Sequence, residues 1–323
     1  MTPQRAIVTG CAGFIGSQLA ERLVADGWRV TGVDCFTPYY PRAEKEANLT
    51  GLAAEANFTL VEDDLATMDL EPLMNGRPVV FHLAAQAGVR SSFGDGFKDY
   101  ASHNLIATQR VFEAAEAAGC PRVAWASSSS VYGDATQYPC PEDAPTAPRS
   151  PYGVTKRACE DLARIYRGRG LETVGLRYFT VYGPRQRPDM AMRRICECLI
   201  SGAAFPMFGD GAQSRDFTYV GDAVEATLRA GTMDGAEAIY NVGGGQEATL
   251  SEVVATLERL AGVGLNVDRG EVQRGDVRRT AADTSLAART LDWTPSTSLE
   301  AGLAAELDWV IALRGAGRTV RAA

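Results

Sequence analysis

The sequence is short of histidine, of paired cysteine and of long apolar runs, and each shortage excludes a class of protein. His82 and His103 are too few for a histidine-rich metal centre, so we expect no metal ion. The seven cysteines are scattered without a C-x-x-C pair, so we expect free thiols. No apolar run approaches the roughly 18 residues of a transmembrane helix, so we expect no membrane span.

The chain also has fewer basic than acidic residues. The formal net charge is -8 and the pI is about 5.0, which argues against nucleic acid or an anionic membrane as a partner. The 323 residues, 46% of them hydrophobic, suffice for a large core and two lobes. The chain runs from Met1 into an apolar strand without a secretion signal, so we expect a cytoplasmic protein.

The N-terminal segment predicts a dinucleotide site. A β-branched strand at residues 5–9 runs into a turn that carries Gly10, Gly13 and Gly16, and a helix follows. Such glycines let a pyrophosphate approach the helix N-terminus. The next strand ends in Asp34, whose carboxylate would accept hydrogen bonds from an adenosine ribose and repel a 2′-phosphate. The pattern favours NAD over NADP, and the alternative is a structural turn without a ligand.

Two further strand ends carry candidate ligand-binding residues. Asp64 follows a strand at residues 58–61 and either meets the adenine amino group or caps the next helix. The buried strand that begins at residue 79 runs into small residues up to Gly88, which leaves space for a ligand. Arg90 follows, where its guanidinium could reach an anion.

The stretch at residues 150–156 carries the candidate chemistry. Pro151 suits the first turn of a helix, on which Tyr152 and Lys156 lie one turn apart on the same face. An ammonium near a phenol stabilises the phenolate and lowers the pKa of the tyrosine, which makes it a usable base. The alternative is an ordinary helix with a surface lysine. Four serines at residues 127–130 end an earlier strand and offer hydroxyls to a substrate oxygen.

Several motifs combine along the chain. They are T-G-x-x-G-F-I-G at residues 9–16, Asp34, H-L-A-A at 82–85, the serines followed by V-Y-G, Y-G-x-x-K at 152–156, L-R-Y-F-x-V-Y-G-P at 176–184 and F-G-D-G-x-Q-S-R-D-F at 208–217. Together they resemble the extended short-chain dehydrogenase/reductase family and, within it, the nucleotide-sugar epimerases. The resemblance covers nearly the whole chain.

The resemblance implies an architecture. The expected fold class is α/β, with a Rossmann-type doubly wound parallel sheet and a smaller C-terminal α/β lobe. We expect an NAD-binding domain at residues 1–180, to which segments near 217–243 return, and a lobe at residues 181–323 that mainly binds the UDP-sugar. A homodimer through the helices that begin at Asn104 and Pro151 is also implied.

The resemblance assigns a catalytic set and a cofactor. Tyr152 would be the base, Lys156 would assist it and bind the nicotinamide ribose, and Ser128 would complete the set. NAD would be held tightly and not released between half-reactions. The residues expected at the cofactor are Gly10, Gly13, Phe14, Ile15, Gly16, Asp34, Asp64, Leu65, Leu83, Ala84, Ala85, Tyr152, Lys156 and Tyr178. In the smaller lobe, Arg215 would clamp the diphosphate and Asp276 would contact the uridine ribose.

The serines discriminate among the reactions that share this scaffold. Sugar 4,6-dehydratases that resemble the chain carry Asp-Glu where it has Ser129 and Ser130, and UDP-glucuronate decarboxylases carry glutamate at the position of Ser130. Serine hydroxyls cannot supply that acid–base chemistry at neutral pH. The resemblance therefore favours an NAD-dependent 4-epimerase, in which the sugar is oxidised at C4, turned and reduced on its other face.

The substrate prediction rests on motifs similar to those of UDP-glucuronate 4-epimerases: D-x-F-x-x-Y-Y from residue 34, A-G-V-R at 87–90, G-P-R-Q-R-P-D-M-A at 183–191 and Q-x-G-D-V from residue 273. UDP-galactose 4-epimerases usually carry asparagine at the position of Thr180 and arginine at that of Gln273. A uronate carboxylate would need hydroxyls and a cation, which the serines, Thr180 and Arg187 or Arg185 could supply.

Alternatives to this reading stay open. The two arginines could instead lie at the surface or contact the diphosphate. The runner-up substrate is UDP-glucose, UDP-galactose or a UDP-N-acetylhexosamine. A protein that binds NAD without catalysis is the alternative from another class.

Overall fold

The computed structural model describes residues 4–271 and 277–315; Gln273 and Asp276, to which the sequence assigns substrate roles, lie outside the described residues. The strands are β1 (Arg5–Thr9), β2 (Arg29–Asp34), β3 (Phe58–Glu62), β4 (Val79–His82), β5 (Val123–Ser128), β6 (Thr173–Tyr178), β7 (Thr180–Tyr182), β8 (Phe205–Phe208), β9 (Ser214–Tyr219), β10 (Ile239–Val242), β11 (Glu247–Thr249) and β12 (Val267–Gly270).

Helices alternate with most of these strands. They are α1 (Phe14–Ala25), α2 (Arg42–Asn48), α3 (Phe97–Tyr100), α4 (Ala107–Ala118), α5 (Pro151–Gly168), α6 (Ala191–Ser201), α7 (Val220–Thr232), α8 (Leu250–Ala261), α9 (Ser285–Thr290) and α10 (Leu299–Leu313). Short 3₁₀ turns lie at Leu52–Ala54, Pro72–Met74, Arg90–Ser92, Gly94–Gly96 and Ser129–Val131. In the described chain no helix is both long and apolar enough to cross a bilayer.

The main sheet has seven parallel strands in the order β10-β6-β5-β4-β1-β2-β3. Side chains of a strand alternate between its two faces, so Val8 packs in one core and Ile7 in the other. Helices α1 and α7 cover the first face, and α4 and α5 cover the second. The predicted doubly wound α/β fold is confirmed.

The strand order reverses between β1 and β4. In such sheets, ligands bind in the crevice that forms at this reversal, outside the carboxyl ends of the strands. The residues that follow β1, β2, β4 and β5 are therefore brought to one edge of the sheet. Strand β10 pairs with β6, so the chain returns to the main sheet after leaving it.

The smaller lobe is built on two small sheets, β11-β9-β7 and β12-β8. Helices α6, α8 and α10 pack on them around a core of their own, in which Ile195, Leu257 and Leu307 are fully buried. Because β7 begins two residues after β6 ends, the lobe starts directly beside the crevice. This position lets side chains from residues 180–190 face the carboxyl ends of the main-sheet strands.

The helix predicted from Asn104 has an irregular start. A π-helical segment, Ala101–Ile106, precedes α4. The Asn104 side chain pairs with the backbone of Gln86. Its Oδ1 accepts from the Gln86 N–H at 2.7 Å, and its Nδ2 donates to the Gln86 carbonyl at 3.0 Å. It also donates to Thr155 Oγ1 at 3.1 Å. Widened turns of this kind occur often beside functional sites, and this one joins α5 to the loop after β4.

Candidate active site

A cavity of about 380 Å³ lies at the carboxyl edge of the main sheet. It is lined by all fourteen residues expected at the cofactor, Gly10, Gly13, Phe14, Ile15, Gly16, Asp34, Asp64, Leu65, Leu83, Ala84, Ala85, Tyr152, Lys156 and Tyr178. Five residues expected at the sugar, Ser128, Ser129, Ser130, Thr180 and Arg187, line the same cavity. The crevice therefore brings the two sets of residues together.

The glycine turn leaves a helix N-terminus open at the cavity wall. Gly10 has φ +69°, and a Cβ there would lie 2.9 Å from the Ala84 backbone. A Cβ on Gly16 would lie 2.2 Å from the Gly10 carbonyl oxygen, so strand and helix need both glycines to pack this closely. Gly13 caps α1 without a side-chain hydrogen bond. Backbone N–H groups at this end are thus available to an anion such as a pyrophosphate.

Asp34 is fixed at the end of β2. Its carboxylate accepts from the Ala12 N–H at 3.2 Å and the Phe36 N–H at 2.8 Å, and Lys45 Nζ lies 3.9 Å away. The side chain is 9% exposed and lines the cavity. A held carboxylate at this position suits the hydroxyls of an adenosine ribose.

Asp64 takes part in the local turn and also borders the cavity. Its Oδ1 accepts from the Ala66 N–H at 2.9 Å and lies 3.7 Å from His103 Nδ1. Cys35, Asp64 and His103 bring a thiol, a carboxylate and an imidazole within 4.8 Å of one another. Burial, with the charges of Asp34 and Asp64, raises the pKa of the Cys35 thiol.

Tyr152 and Lys156 stand on the first turns of α5. The Ser150 hydroxyl accepts from the Gly153 N–H at 3.1 Å and caps the helix, with Pro151 in its first turn. Lys156 is buried and donates from Nζ to the Ala126 carbonyl at 2.8 Å. The Tyr152 ring packs edge-on against Tyr100, with centroids 6.0 Å apart. These contacts hold a phenol and an ammonium in the same cavity wall.

The serine run ends β5 in a tight turn. Ser128 Oγ accepts from the Ser130 N–H at 3.2 Å and caps the 3₁₀ turn Ser129–Val131. The turn packs against α5, and Ser128, Ser129 and Ser130 all line the cavity. The acidic side chains among the described lining residues are Asp34, Asp63 and Asp64, which lie where β2 and β3 end. The serines thus line a part of the cavity where β5 ends, away from these carboxylates.

A buried ion pair behind the serines was missed by the sequence reading. Arg177 binds both oxygens of Glu160 at 2.8 Å, and the two side chains are 7% and 9% exposed. Ser127 Oγ donates to Glu160 Oε1 at 2.7 Å, and Arg177 Nη1 donates to Tyr132 OH at 2.7 Å. The pair therefore ties α5 and β6 to the strand that carries Ser128. The sequence did carry a signal for Glu160. It lies four residues after Lys156, which places the two side chains on the same face of α5.

His82 is buried and structural. Its ring nitrogens pair with Thr9 Oγ1 at 2.8 Å and Thr108 Oγ1 at 3.0 Å. Burial, with the charge of Lys156, lowers the pKa of His82 to about 3, so the ring is neutral at pH 7. A neutral imidazole held by two hydroxyls locks β1, β4 and α4 together rather than exchanging protons with a substrate.

Arg187 reaches the cavity as half of an ion pair. Its Nε and Nη2 each lie 3.0 Å from an oxygen of Asp189. Tyr39, another lining residue, donates from its hydroxyl to Asp189 Oδ2 at 3.3 Å. Neither Asp189 nor Tyr39 was a predicted site residue, although both lie within motifs that the sequence analysis singled out.

The loop that carries Arg187 is fastened at its base. The Gly183 N–H donates to Glu306 Oε2 at 3.0 Å, and Gln18 Nε2 donates to the Pro184 carbonyl at 3.0 Å. Burial raises the pKa of Glu306. Arg193 Nη1 donates to the Gln186 carbonyl at 3.0 Å. Because α1, α6 and α10 all hold the loop, the position of Arg187 is set by both lobes.

Three other predicted arginines are not brought to the cavity lining. Arg185, with φ +69°, turns back and donates to Ser17 Oγ at 3.2 Å and Glu21 Oε1 at 2.8 Å on α1. The Arg90 guanidinium lies 4.7 Å from the ring centroid of Phe208. Arg215 Nη1 donates to the Ser214 carbonyl at 2.8 Å.

Comparison with known proteins agrees with this geometry. The model of the NAD dependent epimerase/dehydratase family matches residues 6–243. The Bacillus subtilis protein YtcB, described as an uncharacterized UDP-glucose epimerase, is 41% identical over 96% of this chain and 98% of its own.

Two solved structures are similar over almost the whole chain. UDP-glucuronic acid 4-epimerase from Bacillus cereus, in complex with UDP-glucuronic acid and NAD, has a TM-score of 0.92 at 36% identity and covers 96% of this chain and 100% of that one. MoeE5 in complex with UDP-glucuronic acid and NAD has a TM-score of 0.86 at 39% identity, covering 97% and 99%. MoeE5 is also known in complex with UDP-glucose and NAD.

The residues present fit the cofactor that the family name implies. The uncapped N-terminus of α1 suits a pyrophosphate, the held carboxylate of Asp34 suits a ribose, and the small residues after β4 leave room at the sheet edge. The chain belongs to the NAD dependent epimerase/dehydratase family, and NAD is its cofactor.

Proposed function

We propose that the protein is a UDP-glucuronate 4-epimerase, which interconverts UDP-glucuronate and UDP-galacturonate through a 4-keto intermediate. One observation carries this proposal: Tyr152 and Lys156 share a cavity with a wall of hydroxyls, while the described acidic lining residues lie at the other end. Such a site can move a proton at the sugar, and none of its described lining residues there offers a carboxyl group to expel water or promote decarboxylation. The Bacillus cereus relative with bound UDP-glucuronic acid supports the choice of substrate.

Tyr152 performs the proton transfer at the sugar. Its phenolate takes the proton of the C4 hydroxyl as the C4 hydride leaves, and the phenol so formed returns the proton when the hydride is delivered to the other face. Bound NAD supplies the hydride acceptor and donor. Lys156, fixed by the Ala126 carbonyl, holds its charge beside this exchange, and Ser128 donates a hydrogen bond to the C4 oxygen.

The hydroxyl wall binds the uronate. Ser129, Ser130 and Thr180 line the cavity and can donate to carboxylate oxygens, and Arg187 adds a cation. A 4-keto uronate is a β-keto acid that loses CO₂ readily, so an epimerase must hold the carboxylate away from any acid. Glu160, the carboxyl group behind the serines, is fully engaged by Arg177 and Ser127 and is thereby kept from the sugar.

A neutral UDP-hexose is the second candidate substrate. The observation that favours it is the pairing of Arg187 with Asp189, which offsets the positive charge expected to bind a carboxylate. YtcB is described as a UDP-glucose epimerase, and MoeE5 binds UDP-glucose as well as UDP-glucuronic acid.

The proposal divides the chain into residues 1–180, with the segment near 217–243, as the NAD-binding domain, and 181–323 as the main UDP-sugar lobe. Arg215 and Asp276 keep their proposed roles at the diphosphate and the uridine ribose. A cytoplasmic location stays a prediction.

We also propose a homodimer. Ile106, Val154 and Ile165 are 49%, 50% and 59% exposed, and they flank or lie on the helices α4 and α5. Large aliphatic side chains on neighbouring helices form a surface that a second copy of the same helices can bury. Sedimentation velocity of the purified protein measures the association directly.

The function is tested by incubating the protein with UDP-glucuronate and, separately, UDP-glucose, and separating the nucleotide sugars by chromatography. We expect UDP-galacturonate from the first and far less turnover of the second. Product from UDP-glucose alone would refute the uronate proposal in favour of the second candidate. Release of UDP-pentose would instead reveal decarboxylation.

A further inference from the structure

The Arg187–Asp189 pair uses one edge of the guanidinium and leaves Nη1 outside that pairing. Asp189 occupies Nε and Nη2 with two 3.0 Å contacts, and in the described part of the chain no hydrogen bond involves Nη1. The Arg187 side chain is 19% exposed and lines the cavity, whereas Asp189 is 39% exposed and is not among the described lining residues. A bidentate carboxylate fixes the plane of a guanidinium, so the remaining N–H groups have a set direction.

The pair is held from the other lobe. The Tyr39 hydroxyl donates to Asp189 Oδ2 at 3.3 Å and lies 3.4 Å from Ser91 Oγ, and the Tyr39 ring centroid is 5.8 Å from the Arg187 guanidinium carbon. Tyr39 follows β2, whereas the ion pair belongs to the loop after β7. Asp189 therefore has a second partner, Tyr39, which belongs to the part of the chain that follows β2.

The charge balance at the sugar follows from this arrangement. Arg187 and Asp189 together carry no net charge, so a neutral sugar meets no unpaired cation, and an acidic sugar meets an arginine whose attraction is offset by a nearby carboxylate. Lys45 and Lys156, the other lysine and arginine side chains in the described lining, are committed to Thr37, Asp34 and the Ala126 carbonyl. The site should therefore bind an acidic UDP-sugar more tightly than a neutral one, but should not exclude the neutral one.

We infer that Asp189 is a specificity-determining residue that lowers the preference of the site for UDP-glucuronate over UDP-glucose by neutralising Arg187. The inference rests on the proposed function, because it assigns Arg187 to the sugar end of the same site. Removing the charge of Asp189 leaves the guanidinium uncompensated toward the cavity, which strengthens its attraction for a substrate carboxylate and does nothing for a hydroxymethyl group.

Asp189→Asn tests this inference, because asparagine is isosteric and its carbonyl can still accept from Arg187. The dissociation constants of UDP-glucuronate and UDP-glucose are measured by calorimetry on the NAD-bound protein, with kcat/KM alongside. We expect the ratio of affinities to move about two- to fivefold toward UDP-glucuronate, the scale of one partly exposed ion pair. Asp26→Asn is the matched control, since Asp26 is also 39% exposed and pairs with an arginine, Arg22, outside the cavity.

The single variant Arg187→Gln and the double variant Arg187→Gln/Asp189→Asn complete a double-mutant cycle. In the Arg187→Gln background, Asp189→Asn should leave the affinity ratio unchanged, because the cation on which it acts is gone. An unchanged or lowered ratio in the Asp189→Asn single variant, or the same rise in both backgrounds, overturns the inference. Lack of UDP-glucuronate turnover by the wild-type protein would refute the proposed function alone, since the affinity ratio still reports on Asp189.

Discussion

The buried pair Glu160–Arg177 offers the sharpest test of how the serine wall is held. We expect Glu160→Gln to lower the free energy of unfolding of the NAD-bound protein by about 3–5 kcal/mol, the cost of leaving a buried charge without its partner. Five contacts of 2.7–2.8 Å depend on this network: two between Arg177 and Glu160, one from Ser127 to Glu160, and one each from Arg177 to Tyr132 and the Glu142 carbonyl. Both charged side chains are less than 10% exposed, so water cannot replace what is lost.

Urea denaturation followed by circular dichroism, at one protein and NAD concentration, measures this loss. Glu62→Gln is the matched control, because Glu62 pairs with Arg42 through two 2.7 Å contacts at 47% and 52% exposure. We expect a much smaller change there, since water screens the pair. Adding Arg177→Met to Glu160→Gln should recover part of the stability by removing the stranded charge. Equal losses for Glu160→Gln and Glu62→Gln would refute the reasoning.

Three other predictions follow from the same structure. Tyr152→Phe should keep NAD bound while epimerisation falls by about 10²–10⁴-fold, and retained turnover would remove Tyr152 as the base. Burial holds the pKa of His82 near 3 against 6.5 when unfolded, so the unfolded chain binds the extra proton and stability falls as pH drops below about 6.5. His82→Asn should flatten the pH dependence of urea midpoints between pH 7 and 5; an unaltered slope would assign it to carboxylates. Ile165→Lys should shift sedimentation toward the monomer, whereas an unchanged distribution would place the interface elsewhere.

The gathering of the predicted cofactor residues around one cavity could be foreseen because its determinants are local. A strand, a glycine turn and a helix that follow one another bring Gly10, Gly13 and Gly16 to one turn, and an acid at the end of the next parallel strand arrives beside it. The same rule places Ser128 and Tyr152 near the same sheet edge, since β5 and the start of α5 both lie there. No long-range packing detail is needed for these assignments.

The arginines show where sequence reasoning stops. Arg185 and Arg187 are two residues apart in one motif, yet the positive φ of Arg185 sends it to Glu21 on α1, while Arg187 faces the cavity. The π-helical turn at Ala101–Ile106 and the contact of Tyr39 with Asp189 likewise depend on packing between distant segments. Such directions are set by tertiary structure, which no spacing of residue types encodes.

The two candidate substrates differ at one carbon, and the cavity meets that difference with one charged pair. Ser129, Ser130 and Thr180 can donate to a carboxylate or exchange hydrogen bonds with a hydroxymethyl group, so the hydroxyls alone discriminate weakly. A 4-keto sugar must also turn before the hydride returns, which a fully exposed arginine gripping its carboxylate would resist. An arginine already engaged by Asp189 holds the acid less firmly. Under the proposed function, the pair would therefore reconcile binding of a uronate with release of its ring for rotation, and its charge balance would set how far a neutral sugar can compete.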